Sequence, residues 1–390
     1  MSRRPIALSP DLLRLRNEGY DLDVVAGHLL VRDIPYVDAA RAVQRGTLVM
    51  RLDLSGNLTN KPNDHVAYWI GQHPCHASGA KITSIENPSG PADLGGGLRS
   101  DFMFSAKAEY RDYHHKVTTY VGRIAGEASK VDATATPCAF PPVPADADDG
   151  VFKYVDTATS RAGIGAVNGK VAGMRIGIVG LGGTGSYVLD LVAKTLVSDI
   201  HLFDADVFSQ HNAFRAPGAP SLDELQVRPS KVAYLTGIYE KMRNGIVPHE
   251  VFLDETNVGL VTGLDFVFLC LDGGPAKRLI VDALVGSGTP FIEVGMGVLL
   301  GDAQLGGIVR VTTSTADTRD HAAPHVSYAA GHDAGNEYAT NIQVAELNSL
   351  NASLAVIRWK KLVGIYRDAR SEYYAGYSIA SGELVTEGLR

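Results

Sequence analysis

The sequence predicts an α/β protein in which a mainly parallel sheet, covered by helices on both faces, follows a smaller α+β domain. Three observations carry this. From about residue 171 onward, short continuous apolar runs alternate with helical stretches, as strands buried on both faces require. A glycine-rich turn joins one such run to a helix. The stretch TATPCAFPPVPADADDG, Thr134 to Gly150, crowds prolines, alanines and acids without periodicity and reads as an exposed linker. A chain of 390 residues exceeds one ordinary domain. The expected division is an α+β domain over 1–133, the linker over 134–150 and the α/β domain over 151–390.

Composition sets the class. Hydrophobic residues make up 45% and charged residues 20%, the balance of a globular protein. The net charge is -7 with no basic block, which argues against nucleic acid as a partner. No run approaches the ~18 apolar residues of a membrane-spanning helix, and the basic N-terminus lacks the apolar core of a signal peptide. The three cysteines, Cys75, Cys138 and Cys270, are scattered and odd in number, which predicts a reduced, cytoplasmic protein without a disulfide scaffold.

In the first domain, HLLVRDI, TLVMRLDL and HVAYWIG read as short strands punctuated by turn residues. EYRDYHHKVTTYVGRIAGEAS reads as a helix with Tyr113, Val117, Tyr120 and Ile124 on its inner face, and with His114–His115 as a surface pair. In the second domain the order is strand RIGIVGLG, helix YVLDLVAKTLV, strand DIHLFDAD, strand DFVFLCLD, helix AKRLIVDALVGSG, then PFIEVGMGV and GGIVRVTT. A polar stretch over 315–336 precedes a long helix expected over 340–366. Its expected apolar stripe is Leu347, Leu350, Leu354, Ile357 and Val363. EYYAGYSIASGELVTE closes the chain as a hairpin.

The chemistry concentrates in Gly180-Leu181-Gly182-Gly183-Thr184-Gly185-Ser186, between a strand and a helix. Gly180 permits the tight turn, Gly182 lets the backbone approach a phosphate, and Gly185 lets helix and strand pack closely. The helix N-terminus offers free N–H groups to an anion. Asp204, at the end of the next strand about 20 residues on, suits ribose hydroxyls. The unit is a nucleotide site, and the loop alone fits NAD as well as ATP.

The continuation is more specific. GLGGTGS is followed by Asp204-Ala205-Asp206, then Asn212 and Arg215, then Lys231, then Asp272 closing a strand. From about residue 159 to the C-terminus the chain resembles the ThiF-type adenylyltransferases, the group containing ubiquitin-activating enzymes and sulfur-carrier activators. The resemblance implies a Rossmann-like fold that uses ATP and Mg²⁺ to adenylate the C-terminal carboxylate of a ubiquitin-like carrier. It implies Gly180, Gly182, Gly183, Gly185, Asp204 and Asp206 around the nucleotide, and Asn212, Arg215 and Lys231 around the triphosphate. It implies Asp272 for Mg²⁺, and a homodimer in which Arg161 acts across the interface. Two cations and an asparagine beyond a ribose-binding acid are also what adenylation needs, since two anions must meet as pyrophosphate leaves. The N-terminal domain with its partner resembles bacterial sets encoded beside ubiquitin-like and conjugating-enzyme-like proteins, some of them serving phage defence. That implies carrier or partner recruitment for the first domain.

Many ubiquitin-activating enzymes pass the carrier to a cysteine beyond the magnesium-binding acid, and here no cysteine follows Cys270. Cys270 itself reads as a small apolar residue of a buried strand. The stretch TTSTADTRDHAAPHVSYAAGHDAGN instead offers Ser327 as a hydroxyl nucleophile, with His321, His325 or His332 as its base. Cys75, near His65, His73 and His76, reads as a thiol activated by histidine or as a structural cysteine in a turn; a metal site is a third reading, but His-x-Cys-His packs its ligands too closely for a standard zinc arrangement. Cys138 sits in the linker.

Overall fold

The structure, a computed structural model, describes residues 4–88, 90–145, 150–328 and 342–390. Chain contacts divide it into two compact units, Met1–Asp146 and Ala147–Arg390.

The first unit begins with a short helix, Arg4–Leu8, followed by helix α1 (Pro10–Glu18), and continues into a five-stranded antiparallel sheet. Its strands are β1 (Asp21–Val25), β2 (His28–Val37), β3 (Val43–Arg51), β4 (Val66–Ile70) and β5 (Phe102–Ser105), adjacent in chain order. Ala26 (φ 49°) and Gly27 (φ 75°) form the two-residue turn between β1 and β2, the left-handed geometry that matches strand twist. Helix α2 (Tyr113–Val131) is capped by Asp112, whose carboxylate accepts the His115 N–H at 2.7 Å. Tyr113, Val117, Tyr120 and Ile124 are completely buried against the sheet, as their helical spacing predicts. Each such side chain contributes about 1.5–3 kcal/mol over an exposed one.

The second unit is built on an eight-stranded sheet. In chain order its strands are β6 (Arg175–Val179), β7 (Asp199–Phe203), β8 (Ile246–His249), β9 (Phe266–Leu269), β10 (Phe291–Gly301), β11 (Gln304–Ser314), β12 (Glu372–Ser378) and β13 (Leu384–Gly388). Across the sheet the order is β8-β7-β6-β9-β10-β11-β12-β13, parallel from β8 to β10 and antiparallel beyond. Ile176, Ile178, Phe266 and Phe268 enter one apolar cluster, while Val179, Val267 and Leu269 enter another on the opposite face. This explains why these strands read as unbroken apolar runs. The antiparallel extension was not visible in the alternation of runs. It follows from a two-residue turn at Asp302 (φ 49°) and Ala303 (φ 59°), which can join only antiparallel neighbours.

Helices α3 (Gly183–Val192), α4 (Lys231–Tyr239), α5 (Pro275–Ser287) and α6 (Ala345–Leu362) cover the sheet. Helix α6 is shorter than the expected 340–366, with residues 340 and 341 outside those described. Its buried face also differs from the expected stripe. Asn348, Asn351, Ala352, Ala355, Val356 and Trp359 face inward, whereas Leu347, Leu350, Leu354 and Val363 are half-buried and Ile357 is exposed. The reason is close packing of α6 on α3, which small residues permit and a leucine ridge does not. The closing hairpin is β12 and β13, as expected. Among the described residues no helix is long and apolar enough to cross a membrane.

Candidate functional site

The strand order reverses between β7 and β9 on either side of β6, and their carboxyl ends open into one cleft, the position where open α/β sheets bind ligands. The glycine loop follows β6 directly. Gly180 has φ 87°, and a Cβ there would stand 2.8 Å from the Cys270 carbonyl oxygen. A Cβ on Gly185 would stand 1.8 Å from the Gly180 carbonyl oxygen, so neither position admits a side chain. Gly182, the residue before α3, has open space where a side chain would be. Gly183 is different: a Cβ there would lie 2.3 Å from Asn348 Nδ2, so this glycine admits α6.

Asp204 closes β7. Its Oδ2 accepts the Leu181 N–H at 2.7 Å and its Oδ1 accepts the Asp206 N–H at 2.8 Å, tying the strand end to the glycine loop. Lys231, at the start of α4, donates to Asp206 Oδ2 at 2.6 Å and stands 3.5 Å from Asp204 Oδ2. Asn212 is buried in a short helix, Gln210–Ala213, and its Oδ1 accepts the Ser209 N–H at 2.8 Å. Its Nδ2 is buried with no partner among the described residues. These groups line a cavity of about 520 Å³ together with Gly180, Gly182, Gly183, Arg215 and Asp272.

Residues 158–357 match the ThiF family. The chain belongs to the ThiF family. Residues 10–157 match a domain of unknown function, DUF6791. Among solved structures the chain is similar to E. coli MccB with AMPCPP and MccA, at 18% identity and TM-score 0.44, over 57% of this chain and 66% of that one. It is similar to E. coli MccB with ATP, at 18% identity and TM-score 0.44, over 59% and 67%. PaaA is similar at 16% identity and TM-score 0.45, over 60% and 71%. The chain thus spans about two thirds of the MccB chain. No curated protein sequence matches it.

Three predicted residues of the ThiF-family unit, Gly185, Arg161 and Ser327, lie outside the cavity lining. Arg161 is exposed at the end of the helix Thr157–Ala162. Ser327 is half-buried beside Tyr328, whose ring lies 3.9 Å from the Arg278 guanidinium. The His325 ring stacks on Tyr374 at 4.3 Å and faces Glu387 at 3.5 Å, and His321 stacks on Tyr373. Neither imidazole is hydrogen-bonded to Ser327; His332 lies outside the described residues.

The three cysteines are free thiols. Cys75 is 2% exposed, its N–H donates to Val37 O at 2.7 Å, and burial pushes its thiol up, the opposite of histidine activation. Burial also raises Cys138, which packs against the first unit's core. Cys270 lines the cavity beneath the glycine loop, and burial pushes its thiol up strongly, with Lys277 countering in part.

Sequence reasoning missed a polar group beside the cavity. Glu293 on β10 is fully buried, with Lys277 Nζ at 2.5 Å and Arg310 Nη2 at 3.3 Å from its Oε1. Arg310 lies across Gly295, where a Cβ would meet its guanidinium at 2.4 Å. Asn351, also fully buried, donates to Gly295 O at 3.0 Å and lines the cavity with Oδ1 unpartnered among the described residues. No local motif announces these residues, because each is completed by a partner distant in sequence.

Proposed function

We propose that the ThiF-family unit binds Mg-ATP in this cavity and adenylates the C-terminal carboxylate of a small ubiquitin-like protein. The observation that carries the reading is the gathering of Asp204, Asn212, Arg215, Lys231 and Asp272 around one cavity at the switch point of the sheet.

Each side chain has a task. A carboxylate offers about four lone-pair sites; Asp204 accepts from Leu181, Asp206 and, at 3.5 Å, Lys231, which leaves one for a ribose hydroxyl. The bare backbone at Gly182 and the N-terminus of α3 receive phosphate oxygens. Asn212 Nδ2, buried and without a partner among the described residues, supplies a donor. A substrate carboxylate oxygen bonds the α-phosphorus as the α–β bridging P–O bond breaks, and its electron pair leaves on pyrophosphate. Arg215 and Lys231 offset the accumulating negative charge. Among the described residues no three His, Cys, Asp or Glu side chains gather to hold a metal alone. Magnesium held by Asp272 would therefore take its remaining ligands from phosphates and water, and when bound it stabilises the leaving pyrophosphate.

In this reading two chains form a homodimer in which Arg161 reaches the partner's nucleotide. The DUF6791 unit recruits the carrier or a conjugating-enzyme-like protein, within a cytoplasmic bacterial pathway of the kind that includes phage defence. Ser327 is the on-chain hydroxyl proposed to accept the activated carrier.

The test is exchange of labelled pyrophosphate into ATP with a panel of small ubiquitin-like proteins. Exchange is expected, with its loss in Asp272→Ala at unchanged fold. No exchange with any of these carriers contradicts the reading. Hydroxylamine-sensitive carrier adducts lost in Ser327→Ala and kept in Cys75→Ala would support the ester step, and the reverse would remove it.

A further inference from the structure

The charge that lines the nucleotide cavity does not by itself suit an anion. Among the described lining residues the charged side chains are Asp204, Asp206 and Asp272 against Arg215 and Lys231. Lys231 is also committed to Asp206 at 2.6 Å, with Asp204 at 3.5 Å. Carboxylates therefore outnumber cations at the wall, whereas ATP and a carboxylate substrate are both anions.

The compensating charge lies one layer behind. Gly295 of β10 lines the cavity, and its missing side chain admits the Arg310 guanidinium, which would stand 2.4 Å from a Cβ at that position. Arg310 Nη2 is 3.3 Å from Glu293 Oε1, and Lys277 Nζ, from the first turn of α5, reaches the same oxygen at 2.5 Å. Glu293 is 0% exposed and Lys277 2%. Among the described residues no other carboxylate pairs with either cation. Two cations share one carboxylate, so the cluster holds one positive charge in excess. Glu293 is what allows them to be buried, because an unpaired buried cation carries a heavy desolvation penalty. Screening by water and salt is weak for charges at this depth, so their field extends through the thin wall at Gly295.

We propose that Lys277, Glu293 and Arg310 act as one buried positive charge that sets the potential of the cavity and selects anionic ligands without touching them. This rests on the Mg-ATP reading and deepens it: residues outside the lining decide the preference for a nucleotide over an uncharged nucleoside. The same field favours the meeting of a carboxylate with the α-phosphate, where two anions must approach.

The test compares binding of ATP and of adenosine to the full chain, without metal, by titration calorimetry. Three variants separate charge from packing. Arg310→Met leaves the Lys277–Glu293 pair and a neutral cluster. Arg310→Lys keeps the excess charge. Lys277→Met with Glu293→Gln dismantles the buried pair yet also keeps one positive charge, on Arg310. ATP affinity is expected to fall roughly tenfold in Arg310→Met and to stay within about threefold of the unaltered chain in the other two. Adenosine affinity should stay within about twofold throughout, since it carries no charge for the field to act on. A cluster that only packs the wall predicts the reverse order, with the double variant weakest and adenosine lost in parallel with ATP. That pattern, or unchanged ATP affinity in Arg310→Met, overturns the proposal. The two Arg310 variants decide the matter alone if the double variant does not fold. Absence of ATP binding in the unaltered chain overturns the Mg-ATP reading, and this proposal with it.

Discussion

Gly183→Ala separates packing from ligand binding within the glycine loop. The new Cβ would stand 2.3 Å from Asn348 Nδ2 and 2.5 Å from its Oδ1. Asn348 is fully buried, so its amide can yield only by giving up its bonds. Oδ1 accepts from Thr184 Oγ1 at 2.8 Å, and Nδ2 donates to Val344 O at 3.1 Å. Two hydrogen bonds at about 1 kcal/mol each, plus about 1–3 kcal/mol for the Thr184 hydroxyl left buried without its acceptor, give a loss of about 3–5 kcal/mol. The better helix propensity of alanine returns up to ~1 kcal/mol, so a net destabilisation of about 2–4 kcal/mol is expected. On an Asn348→Ala background the same change should be neutral or stabilising, leaving a coupling of about 3 kcal/mol in a double-mutant cycle. Urea unfolding of the four proteins measures this, with Mg-ATP affinity determined for each. If Gly183→Ala is stable to within about 0.5 kcal/mol, shows no coupling and loses ATP binding, Gly183 serves the nucleotide directly and the packing account is wrong.

Further outcomes follow from other sites. Lys277→Met leaves the buried Glu293 carboxylate with Arg310 alone and should cost about 3–5 kcal/mol in urea unfolding. Adding Glu293→Gln should recover most of that loss. Asp204→Asn points an amide where an N–H must be accepted; a stability loss of about 1–3 kcal/mol and a sharp fall in calorimetric Mg-ATP affinity are expected. His201 and His249 stack with ring centroids 5.3 Å apart on β7 and β8, and burial lowers both below their ordinary 6.5. The unfolded chain then binds more protons as pH falls below 6.5, so their contribution to stability is present above that pH and is lost on acidification toward the lowered folded values. His249→Leu should flatten the thermal-unfolding profile over that range; an unchanged slope would clear the pair of this role.

The parts of the site legible in the sequence were those built locally. The glycine loop, Asp204, Asn212, Arg215 and Lys231 lie on one βαβ passage and its continuation, so chain order reflects their nearness. Asp272 lies in the loop beyond β9, three residues past its last strand residue Leu269, and its expected role came from the family resemblance and not from strand geometry. Asn351, Gly295 and the Lys277–Glu293–Arg310 group were not legible, because β10, β11, α5 and α6 must assemble before these residues meet. The inner face of α6 was misread for a related reason. A leucine stripe is the usual core signal, but close approach to α3 favours Ala352 and Ala355. Arg243 was also hidden. It is fully buried and donates to the carbonyls of Ala193, Thr195, Val197 and Ser198 in the connection between α3 and β7, a cation satisfied entirely by backbone oxygens. Burial lowers it to about 10.

The nucleotide itself is the most direct test, by titration calorimetry of the full chain with ATP and with NAD, each with and without Mg²⁺. Micromolar or tighter binding of ATP that strengthens with Mg²⁺, loses that enhancement in Asp272→Ala, and is not displaced by NAD is the predicted result. Binding of NAD with indifference to ATP, Mg²⁺ and Asp272 would contradict it.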